Sequence, residues 1–331
     1  MAREAGVSRA TVSYVLNDRR DMRVSDATRE RVLEVARRIG YIGSPAARAL
    51  RSGRGDVVLL LLPGWEVGGQ LALLLEEIGQ RVAQQGLVCL RYEGAHWQGK
   101  LNTVLAHIPA ACVVTFDPLI DDDSRALESA GVPEVAARLL DYPGKLHTTA
   151  IEQAGIVAAQ IDHLLEQGYR RLAYFAMDEP RGRLVTDARV TAFTSICQER
   201  GVIDAKSVTV SADQFSITGA LAKCVSQSDE PLGIAAWNDL AGLGIISAAA
   251  ELGISIPEQL GIIGGDDTPI AALTRPPLSS VRFNLQVEAA GIAAQISTAL
   301  GQVPDHDIPT AEVVQVIGRQ SSNKRLISDP S

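Results

Sequence analysis

Residues 4–17, EAGVSRATVSYVLN, leave the chain few choices, because a helix end, one glycine and a new amphipathic helix follow each other with no spare residues. Ala5 is small enough for two helix axes to cross closely. Gly6 tolerates the positive φ of a tight turn, and Ser8 can cap the next helix through its hydroxyl. Val12, Val15 and Leu16 then share one helix face, with Arg9, Ala10, Ser13 and Tyr14 on the other. A third helix is signalled by Ser25 as cap, by Val32, Ala36 and Ile39 at helical spacing, and by Gly40 as a stop. The pattern predicts three short helices around one small core. In a helix-turn-helix the N-terminal end of the second helix enters the major groove of DNA, which makes Arg9, Ala10, Ser13 and Tyr14 candidate base readers. An ordinary helical bundle with solvated charges would share this pattern, so the charge distribution must separate the two.

Residues 1–54 hold twelve Lys and Arg against six Asp and Glu, a net of +6, while the whole chain is −8 and the remainder therefore −14. Duplex phosphates attract such a head and repel such a body, so any nucleic-acid contact is expected from the head alone.

The remaining 277 or so residues are enough for two ordinary domains. Short continuous apolar runs recur at 57–62, 87–90, 112–116, 172–177, 207–210, 233–237 and 260–264, separated by longer helical patterns. Strands apolar on both faces belong to parallel sheets covered by helices, and the alternation occurs twice. Two doubly wound subdomains are expected, with ligands bound outside the carboxyl ends of the strands. No apolar run of membrane length and no secretory signal is seen, so the expectation is a soluble cytoplasmic protein with no membrane partner. Cys89, Cys112, Cys197 and Cys224 lack metal-ligand or redox spacing and read as buried thiols; no metal and no cofactor are expected. His96, His107, His147, His163 and His306 are scattered, and no nucleophile elbow, phosphate loop or zinc-protease motif occurs, which argues against an enzyme.

The segment EAGVSRATVSYVLN, followed by VSDATRERVLEVARRIGYI and PAARALRSGR, resembles the head of the LacI/GalR family of bacterial transcription regulators, and the likeness continues along nearly the whole chain. It implies an all-α helix-turn-helix head at 1–42, a hinge helix and linker at 43–55, and a periplasmic-binding-protein-like α/β core at 56–331. Within that core, lobe one would take about 56–150 and 284–310, and lobe two about 151–283 and 311–331. By the same resemblance Arg9, Ala10 and Tyr14 face base edges, while Ser8, Thr11, Asn17, Ser25 and Thr28 hold phosphates. PAARALR at 45–51 matches the hinge; Ala47 and Leu50 would meet the minor groove, with Leu50 as the wedge that kinks the duplex. Gly43 stands where the family usually has proline. The family's first helix normally begins several residues upstream of where Met1-Ala2-Arg3 opens, so the first helix reads as truncated, and the expectation is either a true start farther upstream, which is favoured, or a marginal head that binds DNA weakly.

For the effector site the resemblance implies Arg189, Phe215, Asn238 and Asp266, with Trp65 replacing the family's usual polar-aromatic motif after the first strand. Together these offer donor, acceptor and stacking surface suited to a sugar-like or other small polar ligand. Each has a plainer alternative: Asn238 and Asp266 as cap or turn residues, Arg189 in an ion pair, Phe215 as core. Asp239 is expected to cap the helix after Asn238, and Asp267 to brace a turn. TTAIEQAG at 148–155 lacks the family's customary aspartate. The implied function is a homodimeric repressor that binds a near-palindromic double-stranded operator and releases it with effector. The alternatives are a periplasmic-type binding protein or a family member that has lost DNA binding. The tail after Ser322 has no heptad seam, so a dimer is expected rather than a tetramer.

Overall fold

A computed structural model describes residues 1–16, 22–41, 55–62, 69–93, 98–137, 153–178, 183–304 and 314–323. They fall into two compact units, Met1–Asp56 and Val57–Ser331.

In the first unit, helices α1 (Arg9–Leu16) and α2 (Asp26–Arg38) bury Val12, Val15, Val32 and Val35 together with Ala5. Two glycines close the helical turns by the same device. Gly6 at φ 64° lets the Val7 N–H reach the Ala2 carbonyl (3.0 Å), and Gly40 at φ 62° lets the Tyr41 N–H reach the Ala36 carbonyl (2.9 Å). Both are Schellman turns, in which a left-handed residue satisfies carbonyls the helix end leaves unpaired. Each helix also starts alike: Ser8 Oγ accepts the Thr11 N–H at 3.0 Å, and Ser25 Oγ accepts the Thr28 N–H at 3.4 Å. Asp26 in the first turn of α2 and Arg37 and Arg38 in its last turn complement the helix dipole. The helix signalled by Ser25 is α2, and the first of the three expected helices is, among the described residues, the turn over residues 2–6. Ile39 is also corrected: it is 43% exposed, and Val35 occupies the core position the spacing had given it.

In the second unit, β1 (Val57–Leu61), β2 (Val88–Tyr92), β3 (Ala110–Thr115) and β4 (Glu134–Ala136) form a parallel sheet in the order β2-β1-β3-β4. Alternate residues of β1 face opposite layers, as strand geometry demands. Val58 and Leu60 pack with α3 (Gly69–Gln84) and α10 (Leu285–Ala299), while Leu59 and Leu61 pack with α4 (Leu101–His107) and α5 (Asp121–Ala130). Burying one such leucine contributes about 1.5–3 kcal/mol. We call this sheet and its helices the first lobe. Its helix α10 comes from late in the chain.

The second lobe is built on β5 (Arg171–Met177), β6 (Asp204–Val210), β7 (Leu232–Ala236), β8 (Leu260–Gly265), β9 (Ser279–Phe283) and β10 (Val314–Ile317), ordered β10-β9-β8-β7-β5-β6. Only β10 runs antiparallel to its neighbour. Helices α6 (Gln153–Glu166) and α7 (Arg183–Glu199) cover one face, and α8 (Gln214–Val225) and α9 (Asp239–Leu252) the other. The seven apolar runs each fall on a strand, whereas β4, β9 and β10 escaped the sequence reading. β9 escaped because its sequence, SSVRF, opens with two serines.

Those serines are buried and fully used. Ser279 Oγ donates to the Arg319 carbonyl (3.0 Å), and its N–H donates to Ser321 Oγ (2.8 Å). Ser321 Oγ donates on to the Ile262 carbonyl (2.6 Å), Ser322 Oγ donates to Ser279 Oγ (2.6 Å), and His163 Nε2 lies 2.7 Å from Ser322 Oγ. This polar clip fastens residues 319–322 to the second lobe. Cys112, Cys197 and Cys224 are buried and Cys89 half-buried, with burial pushing every thiol upward. Among the described residues no helix is long and apolar enough to cross a membrane.

Candidate functional site

Two surfaces collect the residues singled out in the sequence. On the head, α1 turns Val12 and Val15 inward, and its 3.6-residue period therefore turns Arg9, Ala10 and Ser13 out into solvent, with Tyr14 half-buried. The hydroxyls of Ser8 and Ser25 are engaged as helix caps. Thr11 and Thr28 share those caps, their Oγ1 atoms lying 2.9 Å from Ser8 Oγ and Ser25 Oγ respectively. Asn17, Ala47 and Leu50 lie outside the described residues, as does Trp65.

The second surface lies at the carboxyl ends of β7 and β8. Asn238 follows β7 and caps α9, its Oδ1 accepting the Ala241 N–H at 2.9 Å. Asp239, expected to be the cap, is corrected: it is buried and turns across the lobe instead. Its Oδ2 accepts the N–H (2.6 Å) and hydroxyl (2.7 Å) of Thr268, and its Oδ1 accepts the Ser280 hydroxyl at 2.5 Å. A side chain at residue 264 would place its Cβ 2.4 Å from Asp239 Oδ1, so Gly264 is required for that approach.

Asp266 and Asp267 follow β8 with φ of 100° and 46°, a conformation costly for residues other than glycine and sustained here by their surroundings. The Asp266 N–H donates to the Val281 carbonyl (2.8 Å). Asp267 is clamped by Arg282 Nε (2.7 Å) and Arg319 Nη2 (2.6 Å), which fits the turn-bracing role expected of it. Burial pushes the Asp266 carboxyl up to about 7; Arg189 pulls it down and Asp239 adds to the rise.

Arg189 reaches this place from α7 and is only 7% exposed. Its Nε donates to Gln153 Oε1 at 2.8 Å, its Nη1 donates to the Trp237 carbonyl, and its guanidinium carbon lies 5.3 Å above the Trp237 ring. Phe215 is 90% exposed at the start of α8, which removes the plain alternative of a core residue.

Four members of this constellation were missed by the sequence reading. Gln153 orients Arg189. Gln160, on the buried face of α6, donates from Nε2 to the carbonyls of Ala236 (2.8 Å) and Gly264 (2.9 Å) and so fixes the spacing of β7 and β8 at their ends. Trp237 precedes Asn238, and Tyr174 lies beneath, in the field of both Arg189 and Asp266. The usable signal for Gln160 was a glutamine in register with Ile156, Val157, Ile161 and Leu164, where an apolar residue belongs. A groove of about 620 Å³ between α4 and α5 offers no rival site, since its buried carboxylate, Asp123, is occupied by the N–H groups of Gly99 (2.8 Å) and Leu101 (3.1 Å).

Comparison with known proteins bears on both surfaces. Residues 1–44 match the model of the bacterial regulatory proteins of the lacI family, and residues 161–322 match a periplasmic binding protein-like domain. The HTH-type transcriptional regulator GntR of Pseudomonas aeruginosa is 29% identical over 330 residues, covering 97% of this chain and 94% of its own. The chain joins a lacI-family head to a periplasmic binding protein-like domain, and its relatives are LacI/GalR bacterial transcriptional regulators. Catabolite control protein A of Priestia megaterium is 26% identical over 85% of each chain. A lac repressor dimer bound to operator and an anti-inducer superposes with a TM-score of 0.74 over 97% of each chain at 19% identity, which shows the shared fold. The LacI/GalR relatives are DNA-binding transcription regulators and not enzymes.

Proposed function

We propose that this chain is a ligand-responsive repressor of the LacI/GalR family that binds a near-palindromic operator as a homodimer and releases it when a small polar, sugar-like effector enters the core. The observation that carries the reading is the outward face of α1, where Arg9, Ala10 and Ser13 stand free of the core on a head of net charge +6. In this reading residues 1–42 read the operator, 43–55 form the hinge, and 56–331 bind effector and pair the subunits. Arg9, Ala10, Ser13 and Tyr14 meet bases, Ser8, Thr11, Asn17, Ser25 and Thr28 meet phosphates, and Ala47 and Leu50 work in the minor groove. Arg189, Asn238, Asp266, Phe215 and Trp65 meet the effector.

Pairing is supported by apolar side chains left in solvent on two elements that pack on each other: Leu240 on α9 (63% exposed), and Ile270 (48%) and Leu273 (74%) on the 3₁₀ turn Pro269–Leu273. A two-fold protein matches a two-fold site, and effector binding couples to operator binding by about 1–3 kcal/mol in such systems. The test is selection of duplexes from a randomised library, followed by anisotropy titration at several salt concentrations. A symmetric site and a steep loss of affinity with salt are expected. Arg9→Ala should relax preference at one position per half-site by about 1–3 kcal/mol. Enrichment of no symmetric sequence, or affinity insensitive to salt, refutes the reading.

A further inference from the structure

We propose that Glu288 is a proton-operated latch at the junction of the two lobes, holding them together while its carboxyl is neutral and releasing them when it ionises. Such a latch needs neither DNA nor effector to work, and under the proposed function it would make the operator response depend on pH.

The junction is short. β9 ends at Phe283 in the second lobe and α10 begins at Leu285 in the first, so Asn284 alone carries the chain across. Its backbone, at φ −85° and ψ 82°, belongs to neither the strand nor the helix, and its cap bond from the Val287 N–H to Oδ1 is long at 3.4 Å. Leu285 packs against the cores of both lobes. Rotation about Asn284 therefore draws Leu285 away from one of them. Residues three apart share a helix face, so the side of α10 that carries Leu285 also carries Glu288 and is uncovered with it.

Glu288 is 6% exposed. The other buried acids are served: Asp123 accepts the N–H groups of Gly99 and Leu101, Asp239 accepts three hydrogen bonds, and the Asp267 carboxylate is held by two arginines. Each follows the rule that a charge removed from water needs an opposite charge or a full set of hydrogen bonds. Among the described residues Glu288 has neither. The elements packed on α10 are α3, β4 and the strands β1 and β3 beneath, and their charged groups are Glu76, Glu77 and Arg81 on α3 and Glu134 on β4. Arg81 Nη2 donates to Gln286 Oε1 at 3.0 Å, and Glu134 Oε1 accepts the Thr115 hydroxyl at 2.6 Å. None of the four acts on Glu288; burial does, and it raises the carboxyl above its ordinary 4.5.

The acid is therefore at home in the closed junction only with its proton on. When the junction opens, water reaches the carboxyl, the O–H bond breaks, the proton passes to solvent and the electron pair stays on the carboxylate. The anion then gains hydration and the favourable field of the α10 N-terminus. The sign follows: acid conditions favour the closed junction and alkaline conditions the open one.

Hydrogen exchange of the full chain over residues 283–289, corrected for the intrinsic pH dependence of amide exchange, tests the latch. From the ordinary 4.5 upward the corrected exchange should rise by up to about tenfold per pH unit, and it should level off once Glu288 also ionises in the closed junction. Exchange in α4, on the opposite face of the first sheet, should stay flat. Glu288→Gln keeps the shape without the titration, and Glu288→Leu suits the apolar surroundings if the glutamine variant does not fold; each should remove the rise. Urea midpoints check the sign, since the parent's stability relative to either variant should be greatest at or below pH 4.5 and fall as pH rises. A rise confined to the junction of the parent supports the latch. Flat exchange in the parent, a rise shared by α4, or a rise that survives in both variants overturns it. A urea difference without a junction difference makes Glu288 a buried acid alone and overturns it as well. A parent that shows the rise yet binds no operator keeps the latch and loses the proposed function, and the converse pattern does the reverse.

Discussion

Asp239→Ala is expected to be among the most damaging single changes at the carboxyl end of the second sheet, although Asp239 would touch neither DNA nor effector. The carboxylate accepts two hydrogen bonds from Thr268 and one from Ser280, and all three donors lie inside the lobe. Truncation leaves the Thr268 N–H and hydroxyl and the Ser280 hydroxyl without their acceptor. A buried polar group stranded in this way costs about 1–3 kcal/mol, and rotation of the two hydroxyls recovers part of that, so we expect about 3–5 kcal/mol in all. Asp239→Asn sets a sharper condition. Its single carbonyl can still serve Thr268, but an amide then faces Ser280 Oγ, which already accepts the Asp267 N–H at 3.0 Å. The serine hydrogen loses its acceptor, and a cost of about 1–2 kcal/mol follows. Urea unfolding followed by tryptophan fluorescence measures this cleanly, because Trp65, Trp97 and Trp237 all lie in the second unit and head unfolding is silent. At a denaturant slope of about 1–3 kcal/mol per molar, the alanine variant should shift the midpoint by roughly 1–5 M. An alanine variant within 1 kcal/mol of the parent, or an asparagine variant as damaged as alanine, would refute the reasoning.

Other expectations are as direct. Gly40→Ala has open space for the new Cβ but φ of 62°, so it should destabilise the head by about 1–2 kcal/mol, visible as a lower far-UV melting point of a fragment spanning the head, whereas Gly40→Asn should lose less; equal losses would contradict the left-handed-turn argument. Burial lowers the His163 pKa below its ordinary 6.5, so its neutral form is the one that folds, and the stability it contributes is present above that value and lost as pH falls through the lowered one. Urea midpoints of the parent should therefore fall on acidification below about pH 6.5 more steeply than those of His163→Gln, and parallel profiles would exclude the histidine as the cause.

Much of this molecule could be read from neighbours in sequence. Gly6, Gly40, Ser8 and Ser25 act on groups within five residues of themselves, so the head's turns and caps were legible. The strands β1, β5, β7 and β8 were legible too, because a segment buried on both faces must be apolar throughout. Asn238 and Asp266 could be placed near one another, since strand ends of one parallel sheet share an edge. Their chemistry could not: whether Asn238 or Asp239 caps α9 depends on Ser280 and Thr268, 41 and 29 residues from Asp239 in sequence.

Local sequence thus determined the helical head, its charge, the doubly wound α/β character of the body and the positions of most strands, because turn geometry and continuous burial act over a few residues. The tertiary structure alone decided which buried polar groups are satisfied. Gln160 bridging two strand ends, the serines of β9 clipped by residues 319–322, and Arg189 set between Gln153, the Trp237 carbonyl and the field of Asp266 all depend on atoms brought together from distant segments. A hydrogen bond inside a protein is won or lost on tenths of an ångström, and no pattern along the chain carries that distance.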